Sequence, residues 1–205
     1  MLTKVTLYVG LAAATVLLQI GLGADTGALL FTDAWPGYPI YEDVLIGLGM
    51  GLALVGLSRI ASQLSVWTRR MEDEFRTILG PLKGSDILIL ALMSSISEEL
   101  FFRGFLQPQL SLTAAAFIFG LAHFPYRTFL IPWTVAAIAV GFLFGWVFET
   151  RECLFAPIIA HFVVNYCNLH YIVRPRPTDP TAVQSPRTSL RIVPREKRVR
   201  DTEHP

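Results

Sequence analysis

The sequence predicts an all-α fold, a polytopic transmembrane bundle of about six spans with one amphipathic helix lying in the interface. Three observations carry that expectation. Of the 205 residues, 53% are hydrophobic and only 16% are charged, where a soluble domain of this size is about a quarter charged. The apolar residues fall into six runs long or apolar enough to be read as spans. The charges are confined to four patches between or within those runs and to a C-terminal tail. The net charge of +1 says nothing about partners by itself, and no feature of the chain calls for nucleic acid.

The first run, about Val5 to Leu22, follows Lys4 and ends at Leu22-Gly23-Ala24, a pattern that resembles a signal peptide. Its length and the five further hydrophobic segments favour a first transmembrane helix. Ala24 to Asp43 is a loop broken by Gly27, Pro36, Gly37 and Pro39, and its charges, Asp25, Asp33, Glu42 and Asp43, are all acidic. The second span, about Val44 to Ser62, carries Gly47, Gly49, Gly51 and Gly56, which allow close helix contact.

Gln63 to Gly84 differs in kind. Trp67, Met71, Phe75, Ile78 and Leu79 recur at helical spacing, while Arg69, Arg70, Glu72, Asp73 and Arg76 take the other face. That pattern predicts an amphipathic helix in the interface, ended by Pro81 and Gly84. Ser85 or Asp86 then caps a third span from Ile87 to about Gln107, which Pro108 stops. The fourth span, Leu112 to Phe124, is short and ends at Pro125. The fifth, Ile131 to Phe148, has Gly141 and Gly145 at small-xxx-small spacing, and the sixth runs from Leu154 to Tyr171. Cys153 and Cys167 have neither disulfide-framework nor zinc-ligand spacing and read as packing residues. Residues 173–205 alternate proline with arginine and lysine, which predicts a disordered basic tail. Three regions follow: 1–84, with two spans and the amphipathic helix; 85–172, the core with the polar motifs; and 173–205, the tail.

Lys and Arg in short loops set orientation. The loop after the first span has none, the segment after the second has Arg69, Arg70, Arg76 and Lys83, and the tail is basic. Six spans with both termini cytoplasmic satisfy all three. Arg127 falls on that same side, and Arg151, between Glu149 and Glu152, on the other.

Within this apolar chain, Glu98, Glu99 and Arg103 interrupt the run from Ile87 to Leu106, and His123 and His161 lie in similar runs. Such groups cost several kcal/mol in a membrane and mark functional sites by default. At 1.5 Å of rise per residue, Glu98 lies about 18 Å in from the cytoplasmic face, while His123 and His161 lie about 18 and 13 Å in from the other. In a hydrocarbon core about 30 Å thick, the three fall in one band about 6 Å deep. Glu99 and Arg103, at i and i+4, are spaced to pair, and Glu98 points about 100° away round the helix. His161 and Asn165 share a helix face, as do Phe119 and His123. Asn165 taken alone reads as an interhelical hydrogen-bonder.

A carboxylate beside a histidine in a low-dielectric cavity can hold and deprotonate a water. A second histidine with an asparagine amide can hydrogen-bond an oxyanion. The same residues allow another chemistry, in which Glu98, His123 and His161 are three zinc ligands with water in the fourth place. The chain has no H-E-x-x-H, G-x-S-G or G-x-G-D motif, so other intramembrane protease designs are not supported.

Glu98-Glu99-Leu-Phe-Phe-Arg103 resembles the E-E-x-x-x-R signature of the CPBP family, the CAAX-protease and bacteriocin-processing intramembrane proteases, also called Abi. Phe119-Gly-Leu-Ala-His123 resembles its F-x-x-x-H element and His161-Phe-Val-Val-Asn165 its H-x-x-x-N element. The likeness covers about Ser85 to Tyr171. It implies that Glu98 and His123 activate a water, that His161 and Asn165 form the oxyanion site, and that Glu99 and Arg103 support them. The family is often labelled metallo-endopeptidase, but its eukaryotic prenyl-endopeptidase relatives are understood as glutamate-dependent. The expectation is therefore a metal-free hydrolase acting on a membrane-associated protein or peptide, with zinc as the competing reading. Relatives have more spans and open to the cytoplasm, whereas the counts above put Arg103 toward the outer side. Two rivals keep the fold without proteolysis: a membrane immunity or scaffold protein, and a proton-coupled carrier. Short length and minimal loops point to a bacterial inner membrane.

Overall fold

The computed structural model describes residues 2–22, 39–124 and 127–174. Most of the acidic loop after the first helix, and the basic tail from residue 175, lie outside the described residues. Seven helices make up the described chain: α1 (Leu2–Gly21), α2 (Ile40–Leu64), α3 (Val66–Leu79), α4 (Gly84–Glu99), α5 (Leu112–Ala122), α6 (Ile131–Arg151) and α7 (Phe155–Val173). A π-helical stretch, Leu100–Leu106, continues α4, and a 3-10 turn, Thr128–Leu130, leads into α6. Among the described residues there is no strand.

Local chemistry sets the ends. Ser65 caps α3 by accepting from Thr68 N at 3.2 Å, and Ser111 caps α5 by accepting from Ala114 N at 3.2 Å. Gly80, at φ 66°, ends α3 in a conformation that a side chain would strain. The stop is therefore Gly80, not Pro81 or Gly84. Nor do Ser85 and Asp86 occupy the N-cap of α4. Lys83 does, and Asp86 reaches back to accept its backbone N–H at 3.2 Å. Pro108 does not stop the third helix, which continues through Gln107–Gln109. Near the end of that continuous run the proline has no N–H to offer the Gly104 carbonyl four residues back, and Gln19 of α1 donates to that carbonyl instead.

Helix directions can be read from contacts at successive turns. Gly47 lies against Ala156 and Ile159, and Gly51 against Ala160 and Val163, while Ser58 donates to Asn168 Oδ1 at 3.1 Å. So α2 and α7 run parallel. Asn165 meets Ser94 and His161 meets Glu99, so α4 and α7 run antiparallel. Arg103 bonds the Gly141 carbonyl and Gln107 that of Gly145, so α6 runs with α4. Gly120 faces Thr134 and Ile138 while Gly141 faces Ala116, so α5 opposes α6. Helix α7 is thus packed by both α2 and α4 and presents its polar residues to each.

The amphipathic helix α3 docks differently from the expectation. Part of its charged face is turned inward, while Arg70 and Asp73 stay exposed. Glu72 is buried at 4% exposure and accepts from Ser62 of α2. Arg76 donates to the Ile172 carbonyl in the last turn of α7 at 2.6 Å, satisfying an acceptor that the helix leaves unpaired. Val66 and Ile78 are exposed too. Trp67 donates to the Phe129 carbonyl at 2.7 Å, and Phe75 meets Trp133 edge-on. These contacts tie α3 to the loop after His123. At the other end of the bundle, Arg151 of α6 donates to Asp43 at 2.7 Å and Glu42 at 3.1 Å.

Two helical stretches, Ile40–Leu64 and Thr128–Arg151, are long and apolar enough to cross a membrane. Thr6–Gly21 and Leu112–Ala122 are apolar but shorter. The other two expected spans, α4 and α7, carry the polar groups of the candidate site, which lower their hydropathy.

Candidate active site

The five ionisable residues singled out from the sequence come together where α4, its π-helical continuation, α5 and α7 meet. The two adjacent glutamates face different surroundings, as a 100° step round a helix requires.

Glu99 is fully buried. The Arg103 guanidinium lies 3.0 Å from its Oε2 and donates to its Oε1 at 3.1 Å. His161 Nδ1 lies 2.6 Å from the same Oε1. A carboxylate oxygen accepts, so Nδ1–H is the donor and the ring orientation is fixed, with Nε2 pointing away from Glu99. Arg103 is held in turn on every side. Its second nitrogen donates to the Gly141 carbonyl at 3.1 Å, and its guanidinium lies over the Phe119 ring at 4.5 Å.

The π-helical stretch helps to aim these groups. Gln107 N–H bonds the carbonyl of Phe102, five residues back. Gln107, one turn beyond Arg103, donates to Gly145 O at 3.0 Å and to Glu149 Oε1 at 3.1 Å. A Cβ at Gly145 would lie 2.7 Å from Gln107 Oε1, so a side chain there would push the Gln107 amide aside. From α1, the buried Gln19 donates to the Gly104 carbonyl at 3.0 Å.

Glu98 has no such enclosure. Its Oε2 has no hydrogen-bond partner among the described residues. It lies 3.6 Å from His123 Nε2 and 3.8 Å from His161 Nε2, too long for direct hydrogen bonds and short enough for one water to bridge. His123 Nδ1 lies 2.7 Å from the Phe119 carbonyl. A carbonyl can only accept, so Nδ1 carries the proton and, in the neutral ring, Nε2 offers a lone pair toward Glu98. The side chains of Glu98 and His123 are 12% and 26% exposed, against 0% for Glu99 and 1% for Arg103, so reagents reach the first pair and not the second.

Asn165 does not touch the glutamates. Its amide donates to Ser94 Oγ at 2.9 Å, the interhelical bond expected of it taken alone. Sequence reasoning missed Ser94, Gln107, Gln19 and the Glu99–His161 contact. Ser94 and Gln107 carried a usable signal: they sit four residues from Glu98 and Arg103, on the same helix faces.

For zinc, the candidate ligands are Glu98, His123 and His161. Among the described residues no three histidine, cysteine, aspartate or glutamate side chains are gathered so as to hold an ion.

Residues 82–167 match the family model described as Type II CAAX prenyl endopeptidase Rce1-like. The chain is also 28% identical over 159 residues to the uncharacterized protein YpbD of Bacillus subtilis, covering 74% of this chain and 82% of that one. No solved structure matches it significantly. The matched segment includes all three motifs and the Glu98–His123–His161 cluster, and over that segment the chain is similar to the Rce1-like branch of the CPBP family that those motifs resemble.

Proposed function

We propose that the chain is an intramembrane endopeptidase that hydrolyses a peptide bond in a membrane-associated protein or peptide. The observation that carries this reading is Glu98 Oε2, without a hydrogen-bond partner among the described residues and facing two histidine Nε2 atoms at 3.6 and 3.8 Å. A water between them gives one proton to Glu98 and directs the other to the His123 Nε2 lone pair. Its oxygen attacks the scissile carbonyl carbon. The oxyanion is met by the Asn165 amide and by Nε2–H of the doubly protonated His161 ring, which Glu99 orients. Glu98 then passes its proton to the leaving amine as the C–N bond breaks. Arg103 keeps Glu99 charged and in place.

The proposed setting is a six-span bundle in a bacterial inner membrane, with both termini cytoplasmic. Two features support it. Chain direction alternates from α2 through α4, α5, α6 and α7, as successive spans require. The bundle also presents an apolar outer surface, with Leu45, Leu52 and Leu57 of α2, Phe117 and Leu121 of α5, and Val135 and Trp146 of α6 all exposed. So large an apolar surface on a water-soluble chain would drive aggregation.

The test compares membranes from cells expressing the wild type with those expressing Glu98→Ala, His123→Ala or His161→Ala at matched protein level. Mass spectrometry of protein termini reads the outcome. New termini that appear only with the wild type are expected. If all three variants generate the same termini as the wild type, the protease reading fails, and a scaffold or carrier role takes its place. Metal content of the active protein, with chelator sensitivity, separates the glutamate mechanism from a zinc one.

A further inference from the structure

We infer that Ser94 is a positioning residue for the Asn165 amide, setting which end of that amide faces α4 and which atoms remain for the substrate. The inference rests on the endopeptidase reading above and extends it to a residue outside the three motifs.

Ser94 lies one turn before Glu98 on α4 and is 4% exposed. Its hydroxyl has one proton, and that proton goes to the Ala91 carbonyl at 3.2 Å. Its oxygen is therefore left as an acceptor toward α7. Asn165 Nδ2 fills that role at 2.9 Å. Turned over, the amide oxygen could be bonded only by drawing the hydroxyl proton away from the Ala91 carbonyl, so that orientation keeps one hydrogen bond where the observed one keeps two. Ser94 thus selects one of two amide orientations. Among the described residues Asn165 Nδ2 has no other bond, so its second N–H remains to meet an oxyanion.

The Ser94–Asn165 and Glu99–His161 contacts are two rungs of one antiparallel ladder, five residues apart on α4 and four apart on α7. Each rung takes a side chain of α4 that does not touch the Glu98 carboxylate and uses it to orient a side chain of α7. The two proposed oxyanion donors are therefore set from the same helix that carries the proposed base. Rigid placement of this kind matters because a misplacement of about 1 Å can cost about a hundredfold in rate.

The experiment measures steady-state cleavage of a farnesylated, quenched-fluorescent CAAX peptide by purified protein in nanodiscs. Wild type, Ser94→Ala, Ser94→Thr, Asn165→Ala, the Ser94→Ala/Asn165→Ala double variant and Glu98→Gln are compared, with thermal stability recorded for each. Ser94→Ala is expected to lower kcat by about ten- to a hundredfold with KM nearly unchanged. Ser94→Thr, which keeps the hydroxyl, restores most of it. The double variant is expected to be no slower than Asn165→Ala alone, because the serine acts only through the amide. Wild-type kcat in Ser94→Ala, or additive losses in the double variant, overturns the inference while an inactive Glu98→Gln leaves the protease reading standing. An active Glu98→Gln overturns both.

Discussion

Glu98 and Glu99 are neighbours in sequence and opposites in environment. Glu99 is sealed, bonded to Arg103 and His161, and gives its charge no other outlet. Glu98 is partly open, and its Oε2 has no hydrogen bond from the described residues. The difference teaches what a buried charge is for in each case. A buried carboxylate paired with a guanidinium and bonded to a histidine holds the fold and orients a neighbour. A carboxylate that lacks such partners, in a protein that could have supplied them, is kept ready for a substrate or a water.

The largest effects should come from breaking the sealed half. Glu99→Ala or Arg103→Ala leaves an unpaired charge in the core and is expected to cost about 3–5 kcal/mol. That is enough to empty the membrane of folded protein, which immunoblotting and thermal denaturation in detergent would record. If either variant is as abundant and as stable as the wild type, the sealed cluster does not hold the fold. Next comes the open half. His123→Ala removes a half-buried ring held by a bond to Phe119 O and by contacts with the Phe119 and Trp133 rings. It should fall by about 10²–10⁴ in turnover while its stability changes little. A parallel loss of stability would move His123 to the structural side of the comparison. The smallest effect is expected at Gln107, which bonds Gly145 and Glu149 but neither Glu98 nor Glu99. Gln107→Leu should cost about 1–2 kcal/mol through its lost hydrogen bonds, with turnover per folded molecule nearly unchanged. A large drop in turnover at full stability would show that the π-helical stretch transmits to the chemistry.

The helices themselves were legible because apolar runs, breakers and caps are local. The split between Glu98 and Glu99 was legible for the same reason, since it needs only the angle between consecutive residues. Depth counting also put Glu98, His123 and His161 at one level, and they are neighbours in the fold. The Glu99–His161 bond was not legible, because it depends on the register between α4 and α7. One sequence does not encode register in any local pattern. The docking of α3 failed for a related reason. Periodicity separated its charged and apolar faces, but it carried no information that Ser62 and the last carbonyls of α7 would draw Glu72 and Arg76 inward. The sequence also did not carry the span count beyond hydropathy, because the site's own polar groups dilute the apolar character of α4 and α7.

One measurement bears most directly on the division of labour between the two carboxylates. Glu98→Gln keeps the shape of the side chain and removes only its capacity to take a proton. Turnover and thermal stability are to be read on the same purified sample in nanodiscs. The account predicts that this variant unfolds within a degree or two of the wild type and cleaves at least about a hundredfold more slowly. Turnover near the wild-type value would contradict it, whatever the stability.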